Sequence, residues 1–170
     1  TSLAAFRLND AATTLYRFIW GELCDWYLEL VKPTLYGTDE STTQTTRRTL
    51  VTVLDHVMRL LHPFMPFITE EIWHALPIRR QITSIMLAPY PRATGVWRDA
   101  EAEGLANRLI QTVGAIRNIR SELGIAPSAD LTVRIATDGD ADTVRSIEGY
   151  VRGLARVSAV DLLEPRARPS

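Results

Sequence analysis

The chain has 170 residues, 46% of them apolar and 23% charged, a balance that fits a folded soluble domain and excludes a disordered one. Its 19 basic and 20 acidic residues leave a formal net charge of −1, so it lacks the positive excess of an autonomous nucleic-acid binder and any RNA contact must be local. The single cysteine excludes an internal disulfide framework, and neither a membrane-spanning run nor a leader layout is evident, so the expected location is the cytoplasm.

Asn9 or Asp10 is placed to cap a first helix that runs to about Lys32 and stops near Pro33. Tyr16, Ile19, Trp20, Leu23, Tyr27 and Leu30 recur at helical spacing, and Phe18, Cys24 and Trp26 widen the apolar surface. A helix apolar over that much of its girth needs neighbours on two sides. Residues 37–46 read as a polar, Thr-rich connection. Arg47 and Arg48 then open a second helix, with Leu50, Val53, Leu54, Val57, Met58 and Leu61 in register. This helix runs into Pro63 and Pro66, each lacking a backbone donor, so it cannot pass through. Thr69 is positioned to cap the next helix, with Glu70 and Glu71 in its first turn. Ile68 and Trp73 stand at the positions of a hydrophobic staple. The corner is expected to be buried and nearly all apolar. The short helix, Glu70 to Leu76, ends before Pro77.

Residues 77–96 form an irregular segment in which Ser84 to Leu87 reads as extended. A third long helix is predicted from about Arg98 to Leu123, with Leu105, Leu109, Val113, Ile116, Ile119 and Leu123 on its apolar face. Gly124 and Pro127 end it. Leu131 to Ala136 alternates like a half-buried strand, Asp140 to Ala155 is helical with Val144, Ile147, Val151 and Leu154 on one side, and Val157 to Leu163 is a second strand. A strand–helix–strand unit favours parallel pairing through a crossover. Two strands make a small sheet, which must lean on the bundle. The predicted fold is mainly α: a helical bundle over residues 1–95, then a long helix with a small α/β strand–helix–strand subdomain over 96–170.

No residue set points to catalysis or to a metal. His56, His62 and His74 have no zinc-ligand spacing, and Gly104 and Gly114 are isolated in a helix rather than in a phosphate loop. Asp25 and Glu29 share a helix face, where carboxylates are usually solvated or salt-bridged. Asp25 is expected to be a buried structural residue bonded to a helix terminus or an arginine, and Trp26 and Tyr27 to pack in the core. The nucleic-acid candidates are Arg117, Asn118 and Arg120, then Arg47 with Arg48, Lys32, and Arg7 with Arg17. Arg117 and Arg120 are three apart and share a face. They form either a solvated face neutralised by Glu122 or a ribose-phosphate contact, with Asn118 offering donor and acceptor to a base edge. At a helix opening, Arg47 and Arg48 would be joined on a phosphate by backbone donors.

Three ordered stretches narrow this. Cys24-Asp25-Trp26-Tyr27-Leu28-Glu29 with Lys32-Pro33, preceded by Tyr16-Arg17-Phe18-Ile19-Trp20, is the first. The second is the corner from Pro63 through Pro66-Phe67-Ile68-Thr69-Glu70-Glu71-Ile72-Trp73, and the third is Ile116-Arg117-Asn118-Ile119-Arg120-Ser121-Glu122. From residue 6 to about 130 the chain resembles the anticodon-binding domain of the class I aminoacyl-tRNA synthetases for branched aliphatic amino acids, and within them the bacterial valyl-tRNA synthetases. The resemblance implies that the partner is the anticodon region of valine tRNA, together with the catalytic and editing domains of the same parent chain. It also implies a parent that joins valine to its tRNA with ATP and Mg²⁺. The family's H-I-G-H and K-M-S-K-S words do not occur here, so this stretch should activate no amino acid and hold no cofactor or metal.

The family's upstream R-N-F-x-N-K-x-W-N helix and downstream basic coiled coil are not found either, and both ends read as cuts in a longer protein. The exposed flank around Phe18 and Trp26 would then favour self-association. Two other readings stay open. One is the same domain of an isoleucyl- or leucyl-tRNA synthetase, and the other is a helical interaction module with no RNA role.

Overall fold

Between Leu8 and Leu35 the backbone stays helical without a break, but its middle is wound differently from its ends. A computed structural model of the chain describes residues 2–126, 128–137 and 141–163. The roles expected for Pro127 and Asp140 lie outside the described residues. Helix α1 is Leu8–Arg17, a π-helical stretch spans Phe18–Tyr27, and α2 is Leu28–Leu35. Arg7, not Asn9 or Asp10, stands before α1, and no side chain caps it. Pro33 does not stop the helix: it sits in the last turn of α2, where its missing donor forfeits one bond. Gly37 follows closely, and a Cβ there would lie 3.1 Å from the Pro33 carbonyl oxygen.

The π winding changes which residues face inward. Its bonds run i to i+5, so a face recurs at slightly wider spacing than in an α-helix. Ile19, Leu23 and Tyr27, four apart, meet the core. Tyr16 and Trp20 are turned out, 64% and 60% exposed, and stack on each other with ring centroids 6.2 Å apart. The 3.6-residue stripe had placed them inside. On this helix the exposed aromatic flank is therefore theirs rather than that of Phe18 and Trp26.

Helix α3, Glu40–Leu61, begins well before Arg47. Asp39 caps it, accepting from the backbone N–H of Ser41 and Thr42. A Thr-rich run suggests a connection, because threonine favours turns and caps over helix interiors. Here Thr45, Thr49 and Thr52 each donate to the carbonyl four residues back, so their hydroxyls are satisfied along the helix. The buried Thr43 donates to the Thr34 carbonyl at 2.8 Å and ties α3 to α2.

After the corner, helix α4 is Pro66–Ala75 and starts on Pro66 itself, where a missing donor costs nothing. Thr69 is thus inside the helix and caps nothing. Its hydroxyl donates to the Met65 carbonyl at 2.8 Å, which makes His62 Nδ1, also 2.8 Å away, a donor to it. Glu70 and Glu71 fall beyond the first turn. The staple fails as well: Trp73 is 1% exposed, but Ile68 is 48% exposed. Nor is the corner buried, since Pro63, Met65, Pro66 and Phe67 are all exposed. Apolar composition alone does not bury a turn. Ser84 to Leu87 is not extended either: Ile85–Leu87 is a 3-10 turn that carries Ile85 into the core. That core joins Leu23, Val57, Met58, Trp73 and Ile85.

Contacts divide the chain into Thr1–Thr94 and Gly95–Ser170. In the second unit, helix α5 is Ala100–Glu122, β1 is Thr132–Ala136, α6 is Ala141–Ala155 and β2 is Ala159–Leu163. The strands pair in parallel, Thr132 against Ala159 through Ala136 against Leu163. Helix α6 packs on α5 and on β2, so the two-stranded sheet is supported inside its own unit. Leu109, Val113 and Ile116 of α5 and Val144, Ile147, Val151 and Ala155 of α6 are buried. Ile119 and Leu123, expected on the same face, are 54% and 69% exposed, and the buried position there is Arg120. Gly124, at φ 63°, ends α5: its N–H donates to the Ser121 carbonyl, and the Ile125 N–H to that of Arg120. Asp99 caps the start of α5 by accepting from Ala102 N–H at 3.0 Å. Asp99→Ala should cost about 1 kcal/mol in a denaturant melt of this unit. A loss under about 0.2 kcal/mol would mean that water replaces the cap. No described helix is long and apolar enough to cross a membrane.

Candidate nucleic-acid interface

The most connected polar group in the first unit is Asp55 on α3. Its carboxylate accepts from Trp73 Nε1 at 2.8 Å, from Arg59 at 2.6 Å and from Arg80 at 3.0 Å. Arg80 also stacks its guanidinium 3.9 Å over the Trp73 ring and donates to the Trp73 carbonyl, while Arg59 donates to that of Pro89. One carboxylate therefore joins α3, α4 and the irregular segment after it. Burial pushes the Asp55 carboxyl up, but Arg80, the charge of Arg59 and the indole N–H outweigh it and hold it below the usual carboxylate value. Glu70, one turn before Trp73 on α4, does similar work. It accepts from the Ile85 N–H and the Ser84 hydroxyl and pairs with His74 at 3.0 Å. Desolvation opposes its charge, yet these bonds hold its carboxyl low too.

Both clamps are architecture, and apart from Arg59 and Arg80 the candidate cations of the first unit take no part in them. Arg17 on α1 and Arg47 and Arg48 on α3 are exposed and make no ion pair among the described residues. Arg47 and Arg48 lie two turns into α3, so no unpaired backbone donors stand beside them, and the anion site expected at a helix opening is not there. Lys32 pairs with Glu29, and Arg7 with Asp10 at 3.5 Å. Asp25 is exposed, not a buried anchor; Asp55, thirty residues on, holds that place. Trp26 is half-buried, Tyr27 packs against the core, and Glu71 is exposed.

In the second unit the candidates split. Arg117 and Asn118 are exposed, and Arg117 donates to the Leu154 carbonyl at 3.1 Å. Arg120 is neither solvated nor neutralised by Glu122. It is 7% exposed and donates to the carbonyls of Ala126, Ala129 and Arg156, at 3.1, 3.1 and 2.6 Å. Arg117 and Arg120 do come together, on a concavity of ≈ 380 Å³ that Arg156 also lines. Sequence reasoning passed over Arg156, because it follows α6 where a helix-ending glycine would draw notice.

The family described as the anticodon-binding domain of tRNA ligase matches residues 1–135. The chain belongs to the anticodon-binding domain family of the tRNA ligases. Among its relatives, the valine–tRNA ligase of Geobacter sulfurreducens is 44% identical over 99% of this chain and 19% of that protein. That of Deinococcus radiodurans is 46% identical over 96% of the chain and 17% of that protein, and that of Geobacillus stearothermophilus 46% over 78% and 15%. This anticodon-binding domain thus spans less than a fifth of the length of the relatives it matches. The match covers all of the first unit and extends through α5 to β1.

Proposed function

We propose that this chain is the part of a valine–tRNA ligase that holds the anticodon stem-loop of valine tRNA and so places the distant acceptor end for aminoacylation. The observation that carries the reading is near-complete alignment, at 44–46% identity, with valine–tRNA ligases of unrelated bacteria. The ordered Cys24-to-Glu29 word supports valine over the isoleucyl and leucyl relatives. Exposed Arg17, Arg47, Arg48, Lys32, Arg117 and Asn118 are the contact candidates. Cations position the phosphates, and unstacked anticodon bases are read by stacking and edge hydrogen bonds. ATP and Mg²⁺ would serve the catalytic part of the parent enzyme, in the cytoplasm, and supply adenylate chemistry there. This chain contributes placement only.

The test is a titration of the chain, and of the full-length ligase, with valine tRNA and a non-matching tRNA at fixed salt. With a net charge of −1 the counterion-release contribution is small, so binding should be weak and only slightly selective. The linked sites of a longer enzyme would add avidity that the chain lacks. ATP–pyrophosphate exchange with valine should stay at the no-enzyme level. No retention of tRNA even at low salt would favour the interaction-module reading. Affinity and discrimination equal to the full-length ligase would show that residues 1–170 hold the whole recognition surface.

A further inference from the structure

The backbone just before α1 carries the bond pattern of a helix ending. Phe6 N–H donates to the Leu3 carbonyl at 3.0 Å and Arg7 N–H to that of Ser2 at 2.9 Å, with Phe6 left-handed at φ 54°. The same two bonds end α5: Gly124 N–H donates to the Ser121 carbonyl and Ile125 N–H to that of Arg120, with Gly124 at φ 63°. A 23-residue helix leads into the ending at Gly124, but only residues 2–5 lead into the one at Phe6. A single turn does not hold by itself, because fixing it costs more than its bonds return. Nor does phenylalanine favour a left-handed backbone, and Phe6 is 90% exposed, so no packing of its own side chain holds it there. The pattern is that of the last turn of a longer helix.

That turn borders an unfilled groove. Phe6 and Arg7 alone separate it from α1, and Leu3 and Ala4 line a hollow of ≈ 610 Å³ with Ala11 and Leu15 of α1 and Leu60 of α3. It therefore lies beside α1 rather than in line with it, as in an antiparallel helix pair. A second hollow, of ≈ 270 Å³, lies between Phe18 and Tyr27 on one side and Val53 and Thr49 on the other. Residue numbers rise along the first helix as they fall along α3, so the hollows are successive stretches of one groove between these helices. Thr14 and Thr49, which also line it, spend their hydroxyls on carbonyls of their own helices. The charged groups lining it are one arginine, Arg92, and one carboxylate, Glu22. That balance gives no purchase on a phosphate backbone, whereas the apolar face of a helix fits it.

We propose that this groove is an interaction surface and that its occupant is a helix of the parent chain, the one that ends at Phe6, which rests on the reading of the chain as part of a longer ligase. The matched relatives, of which this chain spans 15–19%, have the length to carry it. The helix runs back from Leu3, antiparallel to the first helix. To reach Tyr27 it needs about 20 residues at about 1.5 Å each, with apolar residues at three- and four-residue intervals back from Leu3. Seated there, it makes a three-helix bundle with the first helix and α3, and so stiffens the helix that carries Arg47 and Arg48.

The test compares this chain with the same chain extended upstream by about 25 residues of its parent. In a Cys24→Ala background, Thr14→Cys and Thr49→Cys place a thiol in one hollow or the other. Both thiols should react with a maleimide roughly tenfold more slowly in the extended protein, whatever its concentration. A proline placed about ten residues before Ser2 breaks the helix and should restore the rate. Equal rates in the two proteins would refute the occupant, and if the full-length ligase still binds valine tRNA the tRNA reading stands. Slow reaction in the extended protein, with no valine tRNA bound by the full-length ligase, would uphold the groove's occupant and bring down the tRNA reading instead. In the unextended chain, slowing that grows with protein concentration would give the groove to a second copy, and slowing by added tRNA would give it to RNA. Either overturns the proposal.

Discussion

Replacing Trp73 by alanine should destabilise the first unit by about 3–5 kcal/mol, the largest effect expected of any single substitution in its core. The side chain is 1% exposed and packs where α1–α2, α3, α4 and the 3-10 turn at Ile85 converge. Truncation opens a cavity among Leu23, Val57, Met58 and Ile85, which lie on three separate elements and cannot easily close in. It also removes the N–H bonded to Asp55 and the ring beneath Arg80. Trp73→Phe keeps a ring and loses the N–H, so it should cost markedly less. Urea melts of the three proteins measure the series, and a Trp73→Ala loss below about 1 kcal/mol would remove Trp73 from the centre of the core.

Asp55→Ala should cost a comparable 3–5 kcal/mol, for an electrostatic reason. Arg59 and Arg80, 15% and 12% exposed at their side chains, would keep their buried charge and lose its only carboxylate among the described residues. Removing one member of such a pair is worse than never having built it. The direction of the Asp55 shift sets the pH dependence. Its folded value lies below the unfolded one, so its stabilisation is fully present above about pH 4. That stabilisation is lost as pH falls through the folded value. Asp55→Asn should therefore flatten the stability–pH curve below about pH 4 and leave its shape unchanged near neutrality. Glu70 titrates in the same direction, so the difference between wild type and variant isolates Asp55. A difference curve that is level from pH 2 to 4 would contradict the clamp. The double variant with Trp73→Ala should lose less than the sum of the two, since the residues share a hydrogen bond.

The mainly helical class and the order of elements were legible because each rests on local pattern. The crossover only favoured parallel strands, and it is the register of Thr132 to Ala136 against Ala159 to Leu163 that settles the pairing. Leu109, Val113 and Ile116 repeat at three and four, and Thr132 to Ala136 alternate in and out. What misled was also local. The π winding between Phe18 and Tyr27 changes the period itself, so a stripe drawn at 3.6 put Tyr16 and Trp20 on the wrong side. Thr69 looked like a cap because serine and threonine usually are, yet Pro66 had already begun the helix.

The polar clamps were not legible for a different reason. Asp55 meets Arg80 across 25 residues, and nothing in the spacing of either announces the other. The words that carried the family resemblance were informative, but not always through the residue expected. Asp25 is conspicuous in its word and exposed in the fold. Glu70 and Trp73, in the corner, do hold the unit together. Among the cations, Arg117 and Arg120 share a face yet meet opposite fates, one at the surface and one buried, because the chain at Ala126, Ala129 and Arg156 closes over Arg120 alone.

The most direct test of the account is a nuclease-protection map of valine tRNA with saturating amounts of this chain in low salt. Protection should be confined to the anticodon stem-loop and the stem beneath it. It should weaken for Arg47→Gln and Arg48→Gln together, in a protein whose melt is unchanged. Protection of the acceptor end instead, or protection of the anticodon loop that survives when every exposed cation of the first unit is neutralised, would contradict it.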